Sequence, residues 1–386
     1  MTAVIKNGFV YDTETGSFSK KDIGISEGII VSVGTDIPDS GEIIDADGKY
    51  IIPGLVDVHT HGRSGEDFNT AGPDGCLRMR REYARAGTTT VMATLASASL
   101  ESFRASAEAI GRNRDASPGL CTIAGIHLEG RYLNPKKRGA HAPVLLRLPD
   151  ADELDSLLDE MAPLPTHVSA AFELEGGEKF LLRALSRGAT CGLAHTDATY
   201  EESRRFADLG VTSLTHTFNA MRAIHHREPG CAVASLLDDR IYTELICDGH
   251  HVHPAMVRLA SEVKDPGRMV LITDALEAAG SPDGEYNIAG MPVIVKDGIA
   301  LTSDGALAGS TLSLYEGLLN YMEFTGMSME QALPCATINP ARMVGIDGEC
   351  GSLAEGKRAD FIILESITGR PELGTVFCSG SPVSDK

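Results

Sequence analysis

Apolar and polar positions alternate in short bursts over the first 53 residues, and the rhythm changes at Leu55. The runs AVIKNGFVYD, DIGISEGIIVSVG and GEIIDADGKYIIPG, punctuated by Gly and Asp, predict a small antiparallel sheet. From Leu55 onward, apolar runs of strand length alternate with stretches of helical period. Eight such runs follow one another: LVDVH (55–59), TTTVMATLAS (88–97), CTIAGIHLE (121–129), HVSAAFEL (167–174), TCGLAHTD (190–197), VTSLTHTF (211–218), YTELICD (242–248) and MVLITD (269–274). The helices lie between them. Leu154, Leu157, Leu158 and Met161 make one apolar face behind Asp150 as N-cap, Thr199 and Gly210 bracket a second helix, and Pro254 suits the first turn of a third. Eight strand–helix units predict an α/β fold, a (β/α)8 barrel of the TIM type.

After the eighth run, GEYNIAGMPVIVKDGIALTSDG (284–305) reads as a hairpin excursion, and helical patterns cover 311–325 and 328–343. The tail returns to short β patterns. The expected organisation is a catalytic barrel over 54–344 and a small β-sandwich-like domain built from both ends of the chain, 1–53 with 345–386.

Charge narrows the class. With 54 Asp and Glu against 34 Lys and Arg, the net charge of −20 disfavours nucleic acid and anionic membranes as partners, so an anionic ligand needs a local basic pocket. No run of 18 apolar residues occurs and the first residues lack a signal-type apolar core, so a cytoplasmic location is expected. The eight cysteines (76, 121, 191, 231, 247, 335, 350 and 378) are dispersed without a CxxC pair and read as reduced thiols.

In a barrel of this type, the residues at the C-terminal strand ends line one open mouth. Those positions carry His59 and His61 on the first run, Glu129 on the third, His195 on the fifth, His216 on the sixth and Asp274 on the eighth. His-x-His on a strand directs both rings to one face, where one ion can receive both nitrogens. Imidazole and carboxylate donors without cysteine suit Zn²⁺, Fe²⁺, Mn²⁺ or a similar divalent ion. A single site would use Glu129, His195 and His216; a second ion could take His59 and His61, with Glu129 bridging. Asp274, ending a very apolar strand, is the acid/base candidate. Glu173 and Glu175 read as solvated loop carboxylates; the basic run Lys136, Lys137 and Arg138 reads as a solvated loop tip, with a phosphate contact as the alternative.

Taken together, HTHG, HLEGRYLNPKKRGAHAP, AHTDATY, THTFNAM, HHREPG, CDGHHVHP, LITDALEAAG and LAGSTLSL, followed by GSLAEGKRADFIIL, resemble the N-acetylglucosamine-6-phosphate deacetylases of the amidohydrolase superfamily. The resemblance runs over nearly the whole chain. It implies metal-dependent hydrolysis of the acetamide of N-acetylglucosamine 6-phosphate, with one or two divalent ions per subunit, Zn²⁺ foremost and Fe²⁺, Mn²⁺ or Co²⁺ as alternatives. It implies Glu129, His195 and His216 as metal ligands, Asp274 as acid/base and His141 beside the acetamide. It also implies substrate contacts from Asn219, Ala220, His251 and the turn Leu307, Ala308, Gly309, and a phosphate contact from Arg227 that reaches the neighbouring site in a homodimer. The chain departs from the usual pattern at Arg131, where HLEGP is common, and at His250, where an apolar residue is usual and an accessory ligand or hydrogen bond becomes an option. Two alternatives stand beside this reading: a deacetylase of a related N-acetyl amino sugar, and a non-catalytic barrel that binds sugar phosphates.

Overall fold

A computed structural model describes residues 1–288, 290–303 and 305–384. Eight parallel strands, Leu55–Thr60, Thr88–Leu95, Thr122–Glu129, Thr166–Ala170, Thr190–Leu193, Ser213–Leu214, Tyr242–Ile246 and Met269–Ile272, lie side by side in chain order. They are called the first to eighth barrel strands below. The first and eighth are tied beyond the regular ladder: Asp274 N–H donates to the His59 carbonyl at 2.8 Å, His61 N–H to that of Ala275 at 2.8 Å, and Thr273 Oγ1 to Asp57 Oδ2 at 2.6 Å. The sheet is thereby drawn into a nearly closed barrel.

The helices follow from their sequence signals. Asp150 Oδ1 accepts the N–H groups of Asp152 and Glu153, and Leu154, Leu157, Leu158 and Met161 are buried on one face of Ala151–Met161. Thr199 and Glu202 form a reciprocal capping box at the start of Tyr200–Leu209, and Gly210 closes it in the left-handed conformation.

Three expectations are corrected. The fourth, fifth and sixth strands stop at Ala170, Leu193 and Leu214, short of the predicted 174, 197 and 218. The chain turns there instead; His195 and His216 take φ of 44° and 32°, which no strand accommodates. The N-terminal sheet is mixed, because Ala3–Asp12 pairs antiparallel with Ser17–Ser26 but parallel with Glu42–Asp45 and Tyr50–Pro53. The strands of both chain ends share one hydrogen-bonded sheet, joined where Tyr50–Pro53 pairs antiparallel with Phe361–Leu364. The helix expected over 328–343 breaks at Thr337 into Met329–Ala336 and Ile338–Met343, since the Pro340 ring would collide with the Ala336 carbonyl in a continuous helix.

The excursion after the barrel is a three-stranded antiparallel sheet, Gly284–Ile288, Met291–Lys296 and Ile299–Thr302. Ala289 and Asp304 of that predicted segment, and residues 385 and 386 of the tail, lie outside the described residues. All eight cysteines are buried and unpaired, as the dispersed spacing led us to expect.

Candidate active site

The strand ends converge. His195 Nε2 and His216 Nε2 stand 3.2 and 3.1 Å from Glu129 Oε1 and 3.0 Å from each other. His195 Nδ1 faces the Lys137 carbonyl at 2.8 Å. A carbonyl can only accept, so Nδ1 carries the proton and Nε2 presents its lone pair, the arrangement of a metal-binding imidazole. On the other side of Glu129, His61 Nε2 lies 3.2 Å from both Glu129 Oε2 and Asp274 Oδ1, while His59 Nε2 lies 3.5 Å from Glu129 Oε1 and 3.4 Å from Asp274 Oδ1. The donors therefore fall into two sets that share Glu129.

These residues fit divalent cations. Two carboxylates and four imidazoles are packed together, all of them buried except Asp274, which is partly exposed to the cavity, and both nitrogens of His59, His61 Nδ1 and His216 Nδ1 have no hydrogen-bond partner among the described residues. Lone pairs held this close without a proton or cation between them repel, so the packing calls for positive charge. The protonation equilibria respond to that demand. Burial pushes the His61 imidazole down, but hydrogen bonds to Asp274 and Glu129 outweigh it and raise its pKa to about 9. Burial pushes the Asp274 carboxyl up, and the adjacent His59 and His61 more than reverse this, to about 2. Glu129 is driven well below the usual carboxylate range by His59, His195 and His216 against its own burial.

Local backbone geometry aims these groups. His195, His216 and Asp274 all have positive φ, the last 48°, a conformation costly for non-glycine residues and concentrated at functional sites. Gly309 supports Asp274 from behind, at a φ of 67° and with any Cβ placed 2.9 Å from the Asp274 carbonyl oxygen. Gly130, at a φ of 137°, lets the chain beyond Glu129 pass Ser97 where a Cβ would stand 2.6 Å from the Ser97 nitrogen.

A cavity of about 500 Å³ opens onto this centre. His61, Glu129, His141, His195, His216, Asn219, Ala220, His251, Asp274, Leu307 and Gly309 line it, so nearly every residue singled out from sequence is brought to one place. His59 lies beneath the floor, fully buried, and Ala308 is buried in the turn. His141 is held by Ser97 and is pushed by burial to a pKa of about 3, so it is neutral at working pH. His251 donates from Nδ1 to Asp248 Oδ2 at 2.6 Å, which leaves Nε2 for the cavity; burial lowers its pKa but Asp248 more than compensates.

Several placements differ from expectation. Lys136, Lys137 and Arg138 line the cavity instead of forming a purely solvated loop tip, because the chain after Asn134 folds over the mouth and hydrogen-bonds to His195. Glu173 is half-buried and structural: it accepts from Asn134 Nδ2, Thr196 Oγ1 and Asp197 N at 2.9, 2.7 and 2.8 Å, tying the loops that flank His195. Arg227 is exposed and does not line this chain's cavity; its Nη1 lies 3.0 Å from His226 Nε2. His250 is exposed and, among the described residues, bonds through its backbone N–H to Asp248 Oδ1 at 2.8 Å instead of through its ring. Arg131, at a φ of 43° that proline cannot adopt, donates its N–H to Ser97 Oγ at 2.9 Å. Ser97 and Glu244 were not anticipated. A carboxylate inside the apolar run YTELI is the same signal that marked Asp274.

Residues 50–383 match the profile of the Amidohydrolase family. The chain belongs to the amidohydrolase family. Members of this family are metal-dependent hydrolases, in keeping with the donor sets around Glu129. Among family relatives, the chain is 37% identical to an N-acetylgalactosamine-6-phosphate deacetylase of Escherichia coli O157:H7, over 92% of this chain and 93% of that protein. It is 33% identical to an N-acetylglucosamine-6-phosphate deacetylase of Bacillus subtilis (strain 168), over 94% and 90%. Among solved structures, a mutant N-acetyl-D-glucosamine-6-phosphate deacetylase of Mycobacterium smegmatis in complex with N-acetyl-D-glucosamine-6-phosphate superposes with a TM-score of 0.89 at 32% identity, covering 99% of both chains. No described helix is long and apolar enough to cross a membrane.

Proposed function

We propose that this amidohydrolase hydrolyses the acetamide of N-acetyl-D-glucosamine 6-phosphate to acetate and D-glucosamine 6-phosphate. The observation that carries the reading is the shared carboxylate: Glu129 stands between His195 and His216 on one side and His61 and Asp274 on the other, at the floor of a cavity of sugar size. Glu129, His195 and His216 would hold one divalent ion, and His59, His61 and Asp274, with Glu129, a second; Zn²⁺ is the first choice, with Fe²⁺, Mn²⁺ or Co²⁺ as alternatives. Bound there, the metal supplies Lewis acidity and a water acidic enough to react near neutral pH.

The chain's own residues do the rest. His141, neutral, points Nε2 toward Glu129 Oε2 at 3.7 Å and donates to the acetyl oxygen as charge builds on it. Asp274, ionised at neutral pH, takes the proton of the attacking water and passes it to the sugar nitrogen, after which the C–N bond breaks and acetate and the free amine leave. Asn219, Ala220, His251 and the turn Leu307, Ala308, Gly309 orient the sugar. Phosphate is recognised by Arg227 of the neighbouring subunit in a homodimer, with the basic run at Lys136 lining the same mouth. Eight unpaired cysteines suit the reducing cytoplasm, where this substrate class would be met.

A second reading has a specific support, the 37% identity to an N-acetylgalactosamine-6-phosphate deacetylase. The two substrates differ only in the configuration at C4. Acetate release from each phosphorylated sugar, from unphosphorylated N-acetylglucosamine and in the presence of a chelator tests both readings. Fast, chelator-sensitive release from N-acetylglucosamine 6-phosphate alone is the expected result. Preference for the galacto isomer selects the second reading, and release from neither defeats both.

A further inference from the structure

We infer that Glu244 is the positioning residue that sets His59 for an ion at the His-x-His pair, an assignment that rests on the metal reading above. Glu244 lies in the middle of the seventh barrel strand, its side chain 0% exposed, and neither carboxylate oxygen accepts a hydrogen bond among the described residues. A carboxylate buried in that condition opposes folding unless something gives it a partner. The atom that faces it is His59 Nδ1, 3.7 Å from Oε2, and that nitrogen also has no partner among the described residues.

The two vacancies are complementary. His59 Nε2 is aimed at Glu129 Oε1 and Asp274 Oδ1, so it is the nitrogen available to an ion. An imidazole that gives its Nε2 lone pair to a cation keeps its proton on Nδ1, and here that proton points at Glu244. A small closing of the 3.7 Å gap makes a charged hydrogen bond that fixes the tautomer, orients the ring and strengthens Nε2 as a donor.

Three other buried groups around the pair are already engaged. His127, whose ring packs edge-on against His59 with centroids 4.5 Å apart, uses its nitrogens on Val58 O and Ser169 Oγ. His167 faces Thr190 Oγ1 and Ser213 Oγ, and Asp57 accepts from Thr273 and from the His59 backbone. Among the described residues, His59 Nδ1 is the unpartnered nitrogen that approaches the Glu244 carboxylate, at 3.7 Å. The geometry therefore makes the His-x-His site depend on a carboxylate some 185 residues away in sequence, whose side chain makes its ion-pair approach to His59.

Titration of chelator-stripped protein with Co²⁺, reading ions bound per chain and the affinity of each step, tests the assignment. Glu244→Met keeps the side chain's length and removes the acceptor; Glu244→Gln keeps a neutral acceptor. Wild type is expected to take two ions. Glu244→Met is expected to weaken only the second, by about tenfold to a hundredfold, with Glu244→Gln between the two and no further loss when Glu244→Met is added to His59→Ala. An unchanged second affinity, an equal loss at both steps, or a wild type that takes one ion overturns the assignment. Failure of wild type to bind any ion is a separate result: it defeats the metal reading itself. If Glu244→Met does not fold, the Gln variant decides, since a loss confined to the second ion supports the role and an unaltered second ion removes it.

Discussion

Ser97 Oγ lies 2.8 Å from His141 Nδ1, and the Ser97 backbone N–H approaches the same nitrogen at 3.3 Å. A backbone N–H can only donate, so Nδ1 accepts and the ring proton sits on Nε2, toward the cavity. Ser97 Oγ is itself oriented by the Arg131 N–H at 2.9 Å. Arg131 thus does more than replace a proline: it adds a donor that proline lacks and fixes the serine that fixes the histidine. Ser97→Ala should leave ion content unaltered and lower kcat by roughly tenfold, as measured by steady-state acetate release. An unchanged kcat would show that the loop alone holds His141.

Asp274→Asn keeps shape and hydrogen bonding but removes the base. Turnover should fall by about a hundredfold to ten-thousandfold, while the ion bound by Glu129, His195 and His216 and the binding of sugar phosphate persist. Single-turnover kinetics with metal analysis separates the two effects, and near-normal turnover would take the acid/base role away from Asp274.

Metal uptake should be coupled to protons. His61 of the metal-free chain, raised to about 9, is protonated at neutral pH, so adding the metal at pH 7 should release protons measurable by pH-stat. The same shift has a sign for stability: a histidine raised in the folded state stabilises fully below its ordinary pKa, near 6.5, and loses that contribution as pH climbs through about 9. Thermal melts of stripped protein should therefore weaken over that window. The loaded protein, whose imidazole is already deprotonated, should lack this loss.

Glu173 tests the scaffold around His195. Glu173→Ala removes acceptors for Asn134, Thr196 and Asp197 and should cost about 2 kcal/mol in a denaturant titration, with a looser ion at His195. A change within error would return Glu173 to the solvated loop suggested by its sequence context.

Arg227 offers a test of shared sites. Arg227→Ala should raise KM for the phosphorylated sugar and leave the unphosphorylated one unaffected. Mixing it with Asp274→Asn under conditions that exchange subunits should restore roughly a quarter of the sites if the arginine serves the partner. No recovery on mixing would place its role within its own chain.

The barrel and the gathering of polar strand-end groups at its mouth were legible from the chain because both are written in local chemistry. Strand-length apolar runs alternating with capped amphipathic helices dictate the barrel, and polar residues that end such runs must face its mouth, which singled out His59, His61, Glu129, His195, His216 and Asp274. Strand ends were less legible, since the runs read from sequence extend past Leu193 and Leu214, while the backbone leaves the sheet there and turns left-handed at His195 and His216.

What only the tertiary structure decided are relations between residues far apart in the chain. Ser97 meets His141, Glu173 meets Thr196, and Glu244 faces His59 because barrel closure brings separate strands within hydrogen-bonding reach. The pattern of the chain records that a side chain is apolar or ionisable and which way its element turns. Which partner satisfies a buried donor or acceptor depends on three-dimensional distance, and that is set by packing the whole sheet on itself.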